Sequence, residues 1–345
     1  MSGTSLDGVD GVIVDHQCQQ IVAQVCQPYS DQLKQDLRQL TQSGKASLAA
    51  LADIDVNVAR IFSDTALALL GQSGISSTQI SAIGSHGQTI YHQGGYYSMQ
   101  IAHGALIAEQ TGITTVADFR MQDVAAGGQG APLTPMYHHH LLNGQSGVII
   151  NLGGIANISQ ISNESIFGFD TGPANTLLDN WIKCHKSSDY DRDGLWSRSG
   201  LIDQRLLEKL LADDYFKQRP PKSTGPEYFN LEWLSGFLTG KESPEDVQRT
   251  LVELTALSIS SHIPDEGNVY LCGGGTHNTF LVERLRYLNP NSDIMMTNEL
   301  GVHVDYVEAT AFAYFAKRTL AKQSSNIIQV TGAKQSRILG AIYAI

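Results

Sequence analysis

Asp170 stands beside two glycine-rich turns, and that combination is the first sign of chemistry in the chain. The apolar run Val148-Ile149-Ile150 feeds Asn151-Leu152-Gly153-Gly154, and Gly168-Phe169-Asp170-Thr171-Gly172-Pro173 follows after one more strand. Glycine has no Cβ and reaches φ/ψ values that strain other residues, so a backbone turn made of it can approach a bulky ligand. Phosphate is the usual guest at such turns. A phosphate cradle next to a fixed carboxylate points to phosphoryl transfer. The same residues also read as a hairpin turn and as a carboxylate at a helix start, with Pro173 expected to open a helix through Leu177, Leu178 and Trp181.

Two further turns repeat the theme. Gly3-Thr4-Ser5-Leu6-Asp7-Gly8-Val9-Asp10 offers backbone amides and two hydroxyls ahead of the apolar Val12-Ile13-Val14. There Asp7 and Asp10 are candidates to orient a magnesium ion through its waters, because that hard cation prefers oxygen ligands and keeps much of its hydration shell. Gly273-Gly274-Gly275-Thr276-His277-Asn278 follows a strand expected at Asn268–Cys272 and opens a helix. Tight packing explains one such turn, but three in one chain point to a ligand. Between them, Ala117 to Leu133 is rich in small residues and glycine and reads as a binding loop. In it Arg120 is the candidate to meet a ligand carboxylate bidentately, with Asp118 and Asp123 as candidates for sugar hydroxyls or the metal. His86 lies between glycines, where a ligand contact and a turn role are both open. His138-His139-His140 is not a metal site on this reading, since adjacent histidines on a helix point in different directions.

These groups need a frame, and the periodicity supplies one. Residues 30 to 72 read as helices, with Leu33, Leu37 and Leu40 on one face and Leu48, Leu51, Ile54, Val58, Ile61 and Phe62 on another. Both stripes are expected to face the core. Strands are expected around Ser81–Ile90, and a helix over Ala105–Gln110, another from Asp246 to Ile263 and a last one from Asp305. Residues 185 to 230 are loop-rich and read as a lid or substrate wall.

Composition narrows the partners. The 345 residues are 42% hydrophobic and 17% charged, enough for about two domains with a full core. Thirty-four acids against 23 bases leave a net charge of −11, which argues against nucleic acid or an anionic membrane surface. The four cysteines have no metal-ligand spacing, and so few fit reduced thiols in a cytoplasm. No apolar run reaches the roughly 18 residues of a membrane span.

Taken in order, the blocks Gly3-Thr4-Ser5-Leu6-Asp7-Gly8-Val9-Asp10, Gly84-Ser85-His86-Gly87-Gln88-Thr89, Ala117-Asp118-Phe119-Arg120, Gly127 to Leu133, Asn151 to Asn157, Asp170-Thr171-Gly172-Pro173, Lys222-Ser223-Thr224-Gly225 and Gly273 to Asn278 span nearly the whole chain. In these blocks the sequence resembles the anhydro-N-acetylmuramic acid kinases of the actin, Hsp70 and sugar-kinase superfamily. The resemblance implies an α/β, two-lobed actin-like ATPase fold of the duplicated ribonuclease H type, with ATP in the interlobe cleft. It puts the first lobe at 1–120 plus about 328–345, and the second at 121–327 with the lid around 185–230. It also implies a cytoplasmic homodimer that uses ATP and Mg2+ to convert 1,6-anhydro-N-acetylmuramic acid and water to N-acetylmuramic acid 6-phosphate, in recycling of the bacterial cell wall.

By that similarity Asp170 is the general base that takes a proton from the attacking water. The phosphate loops comprise Gly3, Thr4, Ser5, Leu6, Asp7, Gly8 and Asp10, together with Asn151, Gly153 and Gly154. The adenosine side comprises Gly273, Gly274, Gly275 and Asn278, and the sugar side His86, Gln88, Asp118, Arg120, Gly172 and Glu308. Two departures stand out. Similar kinases carry a short apolar strand before the Gly-Thr-Ser turn, so the sequence is expected to start at an internal methionine and to hold Gly3–Asp10 less firmly. Gly94 stands where a proline is common. The rival readings are another sugar or acyl kinase of the superfamily, and an Hsp70-like nucleotide-gated binding module, which would need a peptide-binding extension.

Overall fold

The computed structural model describes residues 1–3, 6–15, 20–220 and 222–345. Its strands are β1 (Gly8–Asp15), β2 (Gln20–Pro28), β3 (Ile83–Gly84), β4 (Gln88–Gln93), β5 (Tyr97–Ile101), β6 (Thr115–Ala117), β7 (Gly147–Leu152), β8 (Ile155–Ile161), β9 (Ile166–Pro173), β10 (Gly267–Cys272), β11 (Ser292–Met296) and β12 (Ala341–Tyr343). Its helices are α1 (Asp31–Ser43), α2 (Leu48–Ser73), α3 (Gly104–Thr111), α4 (Phe119–Ala125), α5 (Thr134–Leu141), α6 (Asn175–Lys186), α7 (Leu195–Ser199), α8 (Gln204–Leu211), α9 (Asp214–Lys217), α10 (Leu231–Ser235), α11 (Pro244–Ser260), α12 (Thr279–Leu288), α13 (Val307–Leu320) and α14 (Ile328–Thr331).

Two compact α/β units result: Met1–His140 with Tyr306–Ile345, and Leu141–Asp305. The bounds differ from 120/121 and 327/328 because of two local packings in the first unit. Helix α13 lies against β1, β3 and β6, so close that a Cβ on Gly84 would overlap the Phe312 carbonyl. The segment after α4 is stitched to the C-terminal stretch by Asp123, described below.

In the first unit, β1 pairs antiparallel with β2, β4 with β5, and β6 lies between a parallel β3 and an antiparallel β12. Helix α1 begins where the Ser30 side chain accepts from the Leu33 N–H and ends at Gly44 in the left-handed region, φ 61°. Its Leu33, Leu37 and Leu40 are buried, as their spacing predicts. The second stripe holds only in part: Val58 and Phe62 of α2 are buried, but Leu48, in the helix's first turn, is 86% exposed.

In the second unit, one five-stranded sheet has the order β11-β10-β7-β8-β9. Strand β7 is central, parallel to β10 and antiparallel to β8. Its Val148, Ile149 and Ile150 are all buried, which is why the run is continuously apolar rather than alternating. The stretch expected to be loop-rich carries the short helices α7, α8 and α9 between its loops, and α10 follows it. Leu206, Leu207 and Leu210 of α8 form one apolar stripe and join Leu234 and the α11 leucines in the sheet's core. It is a packed wall of the unit. Among the described residues, no helix is long and apolar enough to cross a membrane.

Candidate active site

Asp170 sits where β9 departs from regular pairing. Asn157 faces Asp170 and Ala156 faces Gly172, so Thr171 is the extra residue of a bulge, a device that re-aims side chains. The backbone there is braced on both sides: the Asp170 N–H donates to the Lys222 carbonyl at 3.0 Å, and the Tyr215 hydroxyl donates to the Asp170 carbonyl at 2.7 Å. The carboxylate is held on one oxygen. Oδ2 accepts from the Ser223 hydroxyl at 2.8 Å and from the Thr224 N–H at 3.0 Å, while Oδ1 accepts no hydrogen bond from the described residues. Burial raises the Asp170 pKa above the usual carboxylate value, the Thr224 and Ser223 donors pull it back, and the Glu227 charge adds to the rise. A partly desolvated carboxylate with one bare oxygen can take a proton from a nearby water.

The bulge also corrects the reading of Pro173, which closes β9 instead of opening a helix; α6 starts at Asn175. The Gly153-Gly154 pair is the hairpin turn between β7 and β8, and it has a second task. Its carbonyls accept from the Ala174, Asn175 and Thr176 N–H groups, so they satisfy amides that a helix start otherwise leaves unpaired. Any phosphate here must therefore meet the turn itself and not the first amides of α6.

At the third turn the glycines divide. Gly273 has φ +84° and donates its N–H to the Val304 carbonyl, and a Cβ on Gly275 would come within 2.7 Å of the Leu152 Cβ. Those two permit close packing against the end of β7. Gly274 faces open space, where a Cβ would meet nothing within 4 Å. Asn278 uses its Oδ1 to cap α12 through the Leu281 N–H at 3.0 Å.

The other charged groups gather in the first unit. Arg120 lies on α4, a helix where the sequence suggested a loop; the preceding Asp118 takes the left-handed conformation, φ 55°, and lets the chain turn sharply into it. Arg120 Nε donates to His86 Nε2 at 2.9 Å and Nη1 to the Gly130 carbonyl at 2.8 Å. Arginine only donates, so His86 is neutral with its proton on Nδ1. Burial and the nearby Arg120 charge both hold the His86 pKa well down, and its ring packs against Phe312 at 4.6 Å. Burial lowers the Arg120 pKa to about 10, with Glu308 and Asp123 opposing the drop. Glu308, in the first turn of α13, has its pKa raised by burial while Arg120 pulls it down.

Asp123, expected as a ligand, is instead a buried fastener. Its carboxylate accepts from the Gly130 N–H at 2.8 Å, Asn326 Nδ2 at 2.8 Å and the Thr331 hydroxyl at 2.7 Å. Gln88 is tied to the N-terminal segment: the Ser2 hydroxyl lies 2.6 Å from its Oε1 and 2.8 Å from the Gly8 carbonyl. Gly8 and Asp10 stand in the paired strand β1. Leu6 is buried, and Asp7 presents an exposed carboxylate with no hydrogen bond among the described residues. Thr4 and Ser5 lie outside the described residues. Gly172 lies at the bulge, where a Cβ would come within 2.8 Å of Phe216 Cε1. His138 is buried, its pKa lowered to about 3 by burial, and His140 stacks on Tyr314 at 4.4 Å. Sequence reasoning missed Tyr215, Ser223 and Thr224 as partners of Asp170. The Lys222–Gly225 block was a signal for two of them; Tyr215 had none.

The whole chain finds counterparts among known proteins. A family model described as anhydro-N-acetylmuramic acid kinase matches residues 1–345. A Coxiella burnetii protein of that name is 46% identical over 356 residues, covering 99% of this chain and 96% of its own. Proteins of the same name from Aliivibrio fischeri and Photobacterium profundum are each 43% identical, covering 99% of this chain and 97% of theirs.

Proposed function

The chain belongs to the anhydro-N-acetylmuramic acid kinase family, and we propose that it uses ATP and water to open the 1,6-anhydro bridge of anhydro-N-acetylmuramic acid and phosphorylate O6. The products are N-acetylmuramic acid 6-phosphate and ADP. One observation carries the hydrolytic half of this reading: Asp170 is partly desolvated, fixed through Oδ2 and open at Oδ1. Water attacking the anomeric carbon gives its proton to Oδ1 as the bridge oxygen leaves towards phosphorus. Positive charge that grows on the ring carbon is opposed by the same carboxylate.

In this reading the turns at Gly3–Asp10 and Gly153-Gly154 hold the phosphates, and Gly273–Gly275 line the adenosine side, with Gly274 the member free to touch it. Asp7 fits a magnesium ion held through water, because its carboxylate is exposed and uncommitted; Asp10 is the second candidate. Magnesium, when bound, offsets charge on the transferring phosphoryl group. Arg120 meets the lactyl carboxylate of the sugar. His86, Gln88, Asp118, Gly172 and Glu308 complete the sugar side, with His86 acting through Arg120. We place the enzyme in the cytoplasm as a homodimer serving peptidoglycan recycling.

The test is an assay of ADP release with magnesium-ATP and the anhydro sugar, with the product read by mass. A gain of one water plus one phosphoryl group is expected. Gain of phosphoryl without water would mark an ordinary sugar kinase and remove the role of Asp170.

A further inference from the structure

The two oxygens of Asp170 are treated unequally, and the inequality comes from one short segment. Both donors to Oδ2, the Ser223 hydroxyl and the Thr224 amide, lie just after Lys222, whose carbonyl takes the Asp170 N–H. The segment is fastened in turn: the Lys222 ammonium lies 4.6 Å from the centre of the Tyr215 ring and donates to the Tyr215 carbonyl at 3.3 Å. Tyr215 itself donates to the Asp170 carbonyl. Residues 215 and 222–224 thus grip the aspartate by its backbone on both sides and by one carboxylate oxygen.

We propose that Ser223 is a positioning residue for the hydrolytic step: with the Thr224 amide it ties down Oδ2 and so turns Oδ1 towards the attacking water. The inference rests on Asp170 acting as the general base. In the step, the water oxygen bonds to the anomeric carbon and the bond from that carbon to the bridge oxygen breaks. The electron pair stays on the bridge oxygen, which bonds to the γ-phosphorus as the bond to ADP breaks. The water proton goes to Oδ1, and Ser223 keeps its own.

Two physical consequences separate this from simple packing. A carboxylate torsion is broad, so two donors on one oxygen narrow it to the geometry that proton transfer needs. A hydrogen bond to the ionised form also favours that form, so the Ser223 hydroxyl keeps the base charged against its burial. The other groups facing Asp170 do not replace it. Glu227 works in the opposite sense, Tyr215 is spent on the backbone carbonyl, and the Lys222 ammonium, near His262, is turned onto the Tyr215 ring.

The experiment is a pH series of kcat and kcat/KM for the full chain carrying Ser223→Ala or Ser223→Thr, with melting temperatures as a check on folding. Ser223 is exposed, so both variants are expected to fold and to melt within a few degrees of the parent, the small loss in Ser223→Ala being the hydrogen bond to the charged carboxylate. Ser223→Ala is expected to lose roughly ten- to thirtyfold in kcat, the scale of one charge-assisted hydrogen bond, with KM for ATP unchanged. Its acid limb should move up by about half to one pH unit, and Ser223→Thr should restore rate and limb. An unchanged kcat in Ser223→Ala, or a loss of kcat with the acid limb unmoved, overturns the inference. Failure of the underlying reading looks different: Asp170→Asn would then keep its turnover, or the parent enzyme in oxygen-18 water would yield a product without solvent oxygen, whatever Ser223 does.

Discussion

Asp170 and Arg120 are both charged groups drawn partly out of water, yet they are held in opposite ways. Asp170 is gripped by neutral donors alone, a hydroxyl and an amide on one oxygen and a phenol on its backbone, with the carboxylate of Glu227 as the nearby charge. Its environment therefore keeps it basic. Arg120 sits among groups that welcome a cation: a neutral His86 that accepts from Nε, the Gly130 carbonyl, and the charges of Glu308 and Asp123. Even with burial drawing its pKa down to about 10, it stays charged at neutral pH. A group that must move a proton is left without a counterion, and a group that must recognise one charge is surrounded so that its own never wavers. The hydrogen bonds also choose the face each presents. His86 takes Nε–H and the Gly130 carbonyl takes one hydrogen of Nη1, while Nη2 bonds to none of the described residues, so a carboxylate is met through Nη2 and the Nη1 hydrogen that Gly130 leaves.

The comparison breaks most visibly at Asp170. Asp170→Asn keeps the shape and removes the base, so kcat should fall by about 10²- to 10⁴-fold, the usual worth of general-base catalysis, while ATP affinity measured by calorimetry stays near the parent's. Stability should move the other way. A carboxyl whose folded pKa is raised contributes stability that is fully present below its unfolded pKa and is lost as pH rises through the folded value. At pH 7 the parent therefore carries an unfavourable buried charge that the amide lacks. The variant should melt at or above the parent at pH 7, and the gap should close below about pH 4. Retained turnover would end the base assignment, and a variant that melts lower at pH 7 would contradict the view of Asp170 as a group held against its own solvation.

Arg120 should fail in a different parameter. Arg120→Ala is expected to raise KM for the muramic acid substrate by roughly ten- to a hundredfold, the range for a charge-assisted bidentate pair, and to change KM little for an analogue without the lactyl carboxylate. Arg120→Lys should not restore binding, because a point charge cannot reproduce the fork or hold Nε–H against His86. If both substrates suffer equally, Arg120 is only a fastener for His86 and the Gly130 loop, and the contrast between a base site and a recognition site disappears.

How much of this was legible in the sequence depends on distance along the chain. The apolar β7 run, the leucine stripe of α1 and the Gly153-Gly154 turn are local patterns, and local patterns survive translation into structure. Two α/β units were likewise expected. The partners were harder to see. Asp123 looks like a ligand until Asn326 and Thr331, from the far end of the chain, arrive to occupy its oxygens. Pro173 looks like a helix start because nothing local announces the bulge at Thr171 that keeps it in the strand. Gly273, Gly274 and Gly275 are identical letters, and only the end of β7 packed beneath them separates the two that permit contact from the one that faces open space. The charged and aromatic stretch from 185 to 230 read as a lid or substrate wall, and nothing local announced that its leucine stripe is packed into the core of the sheet.

The smallest predicted effect tests whether the grip on the Asp170 backbone matters as well as the grip on its carboxylate. A methyl group on Gly172 would come within 2.8 Å of Phe216 Cε1, and Phe216 is the neighbour of Tyr215 on α9. That atom belongs to a side chain, so the ring can move aside, but Gly172 has φ +153°, which an alanine adopts only with strain, so the variant is also expected to melt somewhat below the parent. What should shift is the Tyr215 hydroxyl, now 2.7 Å from the Asp170 carbonyl, and with it the aim of Oδ1. Gly172→Ala is therefore expected to lower kcat by about three- to tenfold, as a modest misplacement of a base does, without moving KM for ATP. Arg120, His86 and Gly130 belong to the other compact unit, so the apparent affinity for the lactyl carboxylate is expected to hold. A Gly172→Ala enzyme with unchanged kcat would show that the carboxylate donors alone set the geometry. One that loses affinity for the lactyl carboxylate in step with kcat would tie Gly172 to recognition of that charge, and the division between a proton-moving region and a charge-recognising region would have to be redrawn.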